Sequence, residues 1–175
     1  MDGVVRVPTD ELEDPSALRR LLDAAFDGGF RDADWGHALG GWHFLLGEPG
    51  APIAHAAVVE RTLRVGDWEV LTAYVESVAT HPDHRGRGYG TALMESVGAF
   101  IAERYRLGAL SAGIPVFYER FGWQRWRGPT FVRRGDELLT TPDDDGTVMV
   151  LATSTSAPFE ITGPISCVWR AGEVW

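Results

Sequence analysis

Residues 75–97 read VESVATHPDHRGRGYGTALMESV, and the change of character along this stretch decides the fold. Its first residues close a run over 68–80 rich in β-branched and aromatic side chains, which predicts a strand. HPDHRGRGYG follows, too rich in Gly and Pro to be regular. Over 91–105, Leu93, Val97, Ile101 and Tyr105 then recur every four residues, the period of an amphipathic helix. Strand, glycine loop and helix form one unit. At a helix entry the first-turn N–H groups lack helical acceptors and the helix dipole is positive, so Arg85, Gly86, Arg87, Gly88, Tyr89, Gly90 and Thr91 predict a site for an anion such as a diphosphate. Glycine lets the backbone approach a phosphate closely, and arginine adds charge. The spacing is neither the GxGxxG of dinucleotide-binding folds nor a Walker loop, which needs a lysine. A glycine-rich turn with surface arginines is the plainer alternative, and the flanking strand and helix argue against it.

Lysine is in fact absent from all 175 residues: arginine supplies all 16 cationic side chains against 25 acids, a net charge of −9. Schiff-base chemistry with pyridoxal phosphate and lysine nucleophiles are thereby excluded. The acidic balance disfavours nonspecific binding to nucleic acid or an anionic membrane and favours a cationic partner. The charge is also uneven. Residues 85–134 carry nine arginines and three acids, a balance of +6, which leaves −15 for the flanks. That division suggests an anion held by the middle of the chain and a cation held by the flanks, although surface salt bridging would give the same count.

Working outward, residues 4–7 alternate as a short strand, and Asp14-Pro15 gives an N-cap and first-turn proline for a helix burying Leu18, Leu21, Leu22, Ala25 and Phe26, ended by Gly28-Gly29. Asp32 is expected to cap a second short helix. Strands at 42–46, 53–63 and 68–80 form an antiparallel meander, with Gly66-Asp67 in a turn. Beyond the long helix come a strand at 107–111, a short helix at 115–121, and strands at 123–132 and 147–152. The order predicts a single α/β or α+β domain over 1–175 with a mixed, mostly antiparallel central sheet. No apolar run reaches the roughly 18 to 20 residues of a membrane helix, and the acidic N-terminal stretch does not read as a secretory signal, so a soluble, cytoplasmic protein is expected. The lone Cys167 reads as a small buried hydrophobe.

The loop segment resembles the signature of the acetyl-CoA-dependent N-acetyltransferase (GNAT) superfamily, whose pyrophosphate loop runs Q/R-x-x-G-x-G/A, matched by Arg85, Gly88 and Gly90. A narrower resemblance, to the aminoglycoside 2′-N-acetyltransferases, is carried by AFDGGF (25–30), ADWGHALGGWH (33–43), IAHAAV (53–58), Val75-Glu76, YRLGALS (105–111), GW (122–123), GPT (128–130), TPDDDGTVMVL (141–151) and CVWRAGEVW (167–175).

That resemblance implies a fold with a splayed strand pair, in which the backbone of Val78, Ala79 and Thr80 pairs with the pantetheine arm of acetyl-CoA, and residues 85–91 hold its pyrophosphate. It implies direct transfer to an amine, with no acyl-enzyme: Glu76 draws a proton from the acceptor ammonium, Tyr118 returns one to the CoA sulfur, and strand dipoles polarise the thioester carbonyl. From the residues alone, the favoured readings are a strand-end carboxylate in a salt bridge for Glu76 and a partly buried core aromatic with its hydroxyl satisfied for Tyr118. The implied contacts to a polycationic acceptor are Asp34, Glu76, Ser111, Asp144, Glu173 and the terminal carboxylate of Trp175. Asp143, Asp144 and Asp145 lack the alternating spacing of a calcium loop, so no metal is expected. Relatives imply a homodimer. Two departures stand out: Gly29 replaces an acid usual before the Phe of this segment, with Asp27 two residues earlier, and the stretch between Ser111 and Tyr118 is about two residues shorter. Alternatives are acetylation of another cationic amine, a polyamine or cell-wall amino sugar, or a noncatalytic CoA- or drug-binding module.

Overall fold

The computed structural model describes residues 3–175, which form two compact units: the chain up to Val59 with Val75–Ala99, and Glu60–Tyr74 with Phe100–Trp175. Three long elements contribute residues to both. They are β3 (Ala51–Val65), β4 (Trp68–Thr80) and α3 (Tyr89–Arg104).

In the first unit, β1 (Val5–Pro8) pairs antiparallel with β2 (Trp42–Glu48), which pairs antiparallel with β3. Between them run α1 (Pro15–Ala25) and α2 (Asp32–Ala38). The Asp14 side chain accepts the Ala17 amide at 2.8 Å, satisfying one of the donors a helix start leaves open. Leu18, Leu21 and Leu22 are buried and cluster with Phe30 and Ala79, each leucine contributing about 1.5 to 3 kcal/mol of burial. Phe26, expected on the buried face, is instead 42% exposed. It is the C-cap of α1, beyond the helical period, and stacks on Phe30 with centroids 5.4 Å apart. The chain then turns through two left-handed residues, Asp27 (φ 51°) and Gly28 (φ 74°). The N-cap of α2 is Arg31 rather than Asp32; its amide donates to Asp34 Oδ2 at 2.9 Å, so the stabilising carboxylate comes from inside the first turn.

In the second unit the strand order is β6 (Gln124–Arg125), β9 (Val148–Ala152), β5 (Leu107–Ser111), β4, β3, β10 (Ile165–Val168), β7 (Thr130–Arg134) and β8 (Glu137–Thr140). The β4–β5 and β10–β7 ladders are parallel, and the β5–β9, β6–β9, β10–β3 and β7–β8 ladders antiparallel. The mixed, mostly antiparallel sheet is therefore present. The single strand expected over 123–132 is two, because the backbone at Gly128 passes against that of Thr162 and Gly163. A Cβ at Gly128 would collide with the Gly163 carbonyl, and the Arg127 and Gly128 amides both donate to Ile161 O, at 2.7 and 3.0 Å. β10 and β8 were not expected. Cys167, in β10, is fully buried as expected, and burial raises its thiol pKa. No helix among the described residues is long and apolar enough to cross a membrane.

Candidate active site

The predicted anion loop lies where β4 gives way to α3. A short 3-10 turn, Pro82–His84, occupies part of the stretch read as irregular. Gly86 (φ 75°) and Gly88 (φ 84°) both have left-handed backbone, which explains glycine at these two positions. The backbone bond from Ala92 N to Gly88 O, 3.0 Å, opens the helix, leaving the preceding amides of the turn without helical acceptors. Added Cβ atoms at Gly86 and Gly88 would meet nothing within 4 Å, so the backbone is open to a ligand as a phosphate cradle requires. Arg85 is held otherwise than by charge alone: its guanidinium donates to Ala25 O at 2.7 Å and to Thr80 O at 3.4 Å, tying the loop to the end of α1. Arg87 donates to Asp83 O at 3.1 Å. The capacity for a diphosphate therefore rests first on the amides, with both cations held nearby.

The parallel ladder of β4 with β5 pairs Ala73 with Gly108 and Tyr74 with Ala109, and β4 runs on through Glu76, Val78 and Ala79 to Thr80. Glu76 is half-buried. Directly after it Ser77 has φ 51°, a left-handed residue inside a strand. Its carbonyl accepts from His55, which contacts His43. Both rings are fully buried, and desolvation pushes their pKa values down to about 4 for His43 and about 3 for His55, so both are neutral at pH 7. Asp34 lies in the same unit, its Oδ2 accepting the Arg31 amide and facing the Arg31 guanidinium at 3.5 Å. It serves the start of α2.

The second unit assembles the remaining acidic and hydroxyl groups. Ser111 Oγ is 3.2 Å from Thr147 Oγ1, and Thr147 donates to Asp144 O at 2.8 Å. Asp144 is half-buried in the 3-10 turn Pro142–Asp144. Its pKa is raised, first by burial and then by the charges of Glu173, Asp143 and Asp145, while a Thr141 hydrogen bond opposes the shift. Thr141 Oγ1 also accepts from Trp175 Nε1 at 3.0 Å, and Trp175 is 4% exposed. The tail is docked: Arg61 donates to Val174 O (2.7 Å), Arg170 to Glu173 O (2.8 Å) and to Trp175 O (3.4 Å). Both guanidiniums also face the Tyr74 ring, at 4.5 and 5.6 Å. Ser111, Asp144, Glu173 and Trp175 thus share one neighbourhood. Asp145 has a different task, accepting the Thr130 amide and hydroxyl at 2.9 and 2.8 Å. Tyr118, on α4 (Pro115–Glu119), is held edge-on by Phe117 and Trp123, and burial pushes its hydroxyl up to about 12. Among the described residues no group of three or more His, Cys, Asp or Glu side chains is placed to hold a metal ion.

Residues 15–126 match the acetyltransferase (GNAT) domain family, and the whole chain is similar to an aminoglycoside 2′-N-acetyltransferase of Mycolicibacterium fortuitum, with 43% identity over 97% of this chain and 90% of that protein. The chain belongs to the GNAT acetyltransferase family. Among solved GNAT structures, an acetyltransferase of Brucella melitensis in complex with acetyl-CoA is 18% identical over 98% of both chains, with a TM-score of 0.58. Eis1 of Mycobacterium abscessus is 25% identical with the same TM-score of 0.58, over 75% of this chain and 34% of that one, so this chain spans about a third of that protein's length. What the residue pattern did not single out in this GNAT chain are His43, His55, Arg61 and Arg170. The signal for His55 was its place between Ala54 and Ala56 in an apolar strand, where a lone polar residue needs a buried partner.

Proposed function

We propose that this chain, as a single domain over residues 1–175, transfers the acetyl group of acetyl-CoA directly to the 2′-amine of an aminoglycoside antibiotic and so confers resistance. The observation that carries the reading is the 43% identity across 97% of the chain to an aminoglycoside 2′-N-acetyltransferase. The open amides of residues 86–91 and the left-handed Gly86 and Gly88 support pyrophosphate binding, with the backbone of Val78, Ala79 and Thr80 taking the pantetheine arm. When bound, the cosubstrate supplies an activated thioester. Glu76 accepts the proton that the acceptor ammonium must lose before attack, directly or through a water, and Tyr118, protonated throughout the neutral range, returns one to the departing sulfur. Asp144 and Glu173, with the docked Trp175 and the Ser111 hydroxyl beside them, receive the cationic and hydroxyl groups of the drug, and Asp34 adds a further carboxylate.

Acceptor chemistry tests this. CoA thiol should be released from acetyl-CoA on adding tobramycin, and not on adding kanamycin A or amikacin, which carry a 2′-hydroxyl; no turnover with any 2′-amino drug would refute the reading. The pKa of Asp144 is raised first by burial and then by the like charges of Glu173, Asp143 and Asp145, a crowding that a polycation relieves. Drug affinity measured by calorimetry should therefore fall as ionic strength rises, since added salt shortens the Debye length to about 8 Å at 0.15 M. A salt-independent affinity would contradict recognition through these carboxylates. We place the enzyme in the cytoplasm, in keeping with its single buried cysteine. A homodimer is supported by the outermost strand β8, whose Leu138 and Leu139 are 57% and 42% exposed.

A further inference from the structure

Four polar groups of the first unit form a continuous line that acetyl transfer, as assigned above, leaves unused. Thr9 Oγ1 lies 2.8 Å from His43 Nε2, His43 Nδ1 lies 3.0 Å from His55 Nε2, and His55 Nδ1 lies 2.9 Å from the Ser77 carbonyl oxygen. Hydrogen-bond chemistry fixes every proton along it. A carbonyl only accepts, so His55 carries its hydrogen on Nδ1 and, being neutral, offers Nε2 as an acceptor. His43 must then donate from Nδ1 and accept at Nε2. The Thr9 hydroxyl has one hydrogen, and His43 Nε2 at 2.8 Å is a nearer acceptor than the Gly41 carbonyl at 3.2 Å. The threonine oxygen in turn accepts the Gly40 and Gly41 amides at 3.0 and 3.3 Å. All donors point the same way, towards Ser77. Such a line does not conduct protons, because a peptide carbonyl has none to hand on.

Its terminus says what it does. Ser77 is held left-handed (φ 51°) between two strand residues, Glu76 and Val78. A residue in this conformation interrupts the alternation of a strand and resets where its neighbours point. Ser77 carries no glycine to ease the conformation, so something outside it must hold it.

We infer that His43 and His55 are positioning residues for acetyl transfer: the line from Thr9 clamps the Ser77 carbonyl, maintains the left-handed backbone of Ser77 within β4, and thereby aims the Glu76 carboxylate. The inference rests on the reading of Glu76 as the proton acceptor.

Two substitutions separate clamping from simple filling of space. The amide nitrogen of His55→Asn stands close to where Nδ1 stands and still donates to Ser77, whereas His55→Phe fills the volume and donates nothing. His55→Phe should lower kcat about 10- to 100-fold, the scale of a misplaced reacting group, while the drug KM changes much less. His55→Asn should recover most of that loss. Asparagine no better than phenylalanine, or kcat and KM falling together in both, would overturn the role. Two readouts need no turnover. In ¹⁵N-histidine protein at pH 7, both rings should show the neutral Nδ1–H tautomer; an Nε2–H or doubly protonated ring overturns the line. The Ser77 carbon shifts should report left-handed backbone in the wild type and His55→Asn, and move towards extended values in His55→Phe; unchanged shifts in His55→Phe overturn the clamp. If no 2′-amino drug is acetylated, the proposed function fails while these spectra still decide the clamp.

Discussion

Glu76→Gln is expected to lower kcat for acetylation of a 2′-amino drug by about 10²- to 10³-fold, within the range that positioned acid–base groups contribute. The amide keeps the size and hydrogen-bonding reach of the side chain but cannot take a proton. An amino sugar is mostly ammonium at neutral pH, so the reactive free amine would then be formed only by solvent, outside the site. Tyr118→Phe should cost less, about 10- to 100-fold, because a departing thiolate can leave unprotonated at some energetic disadvantage. The burial that pushes Tyr118 up to about 12 has a consequence for the pH profile. In the free enzyme Tyr118 stays protonated across the usual assay range, so any fall in kcat/KM between pH 8 and 10 reports another group and should persist in Tyr118→Phe. Drug dissociation constants, measured without acetyl-CoA, should change far less than kcat in both variants. Equal losses in binding and turnover would contradict the assigned roles.

How much of this was legible in the residues differs from element to element, for physical reasons. β4 and β5 coincide with the strands expected at 68–80 and 107–111, and α1 starts at the cap that Asp14-Pro15 announces, because these elements are specified by contacts within a few residues. β10 is different. Its four residues, Ile165–Val168, pair with Leu63, Arg64 and Val65 on one side and with residues 130–133 on the other, partners remote in sequence, and so short a run carries no period of its own. The break at Gly128 is likewise decided by the distant backbone of Thr162 and Gly163. For the site, the loop from Arg85 to Thr91 could be read from helix-terminus physics alone, whereas the acidic neighbourhood of Ser111, Asp144, Glu173 and Trp175 needed the resemblance, because it is gathered from three separate stretches of chain. His43 and His55 escaped because a hydrogen-bonded pair is invisible until register places both rings on one face: β2 and β3 pair Leu45 with His55 and His43 with Ala57, putting the histidines diagonally opposite.

The same two rings make the protein lose stability in acid. Each has an ordinary pKa of 6.5 in the unfolded chain and a folded value lowered to about 4 for His43 and about 3 for His55, with desolvation the leading cause in both. Below pH 6.5 the unfolded state therefore takes up two protons that the native state refuses. Stability rises with pH wherever the unfolded state binds more protons, so the contribution is complete above about pH 6.5 and is lost as pH falls towards the folded values. At about 1.4 kcal/mol per unit and per ring, the two together should remove about 4 kcal/mol between pH 7.5 and 5, a large part of a typical stability of about 5 to 15 kcal/mol. Most carboxylates titrate below that window, near pH 4, so the interval from 6.5 to 5 isolates the histidines. Asp144, whose folded pKa is raised, works in the opposite sense: its native state binds a proton more readily than the unfolded chain, which stabilises slightly as pH falls. Urea unfolding at half-unit steps across this interval should show the stability dropping towards a slope of about 2.7 kcal/mol per pH unit. His43→Gln should halve the slope, since glutamine has nothing to protonate, whereas a wild-type profile flat from pH 7 to 5 would mean that the rings accept protons in the folded state and are not buried as described.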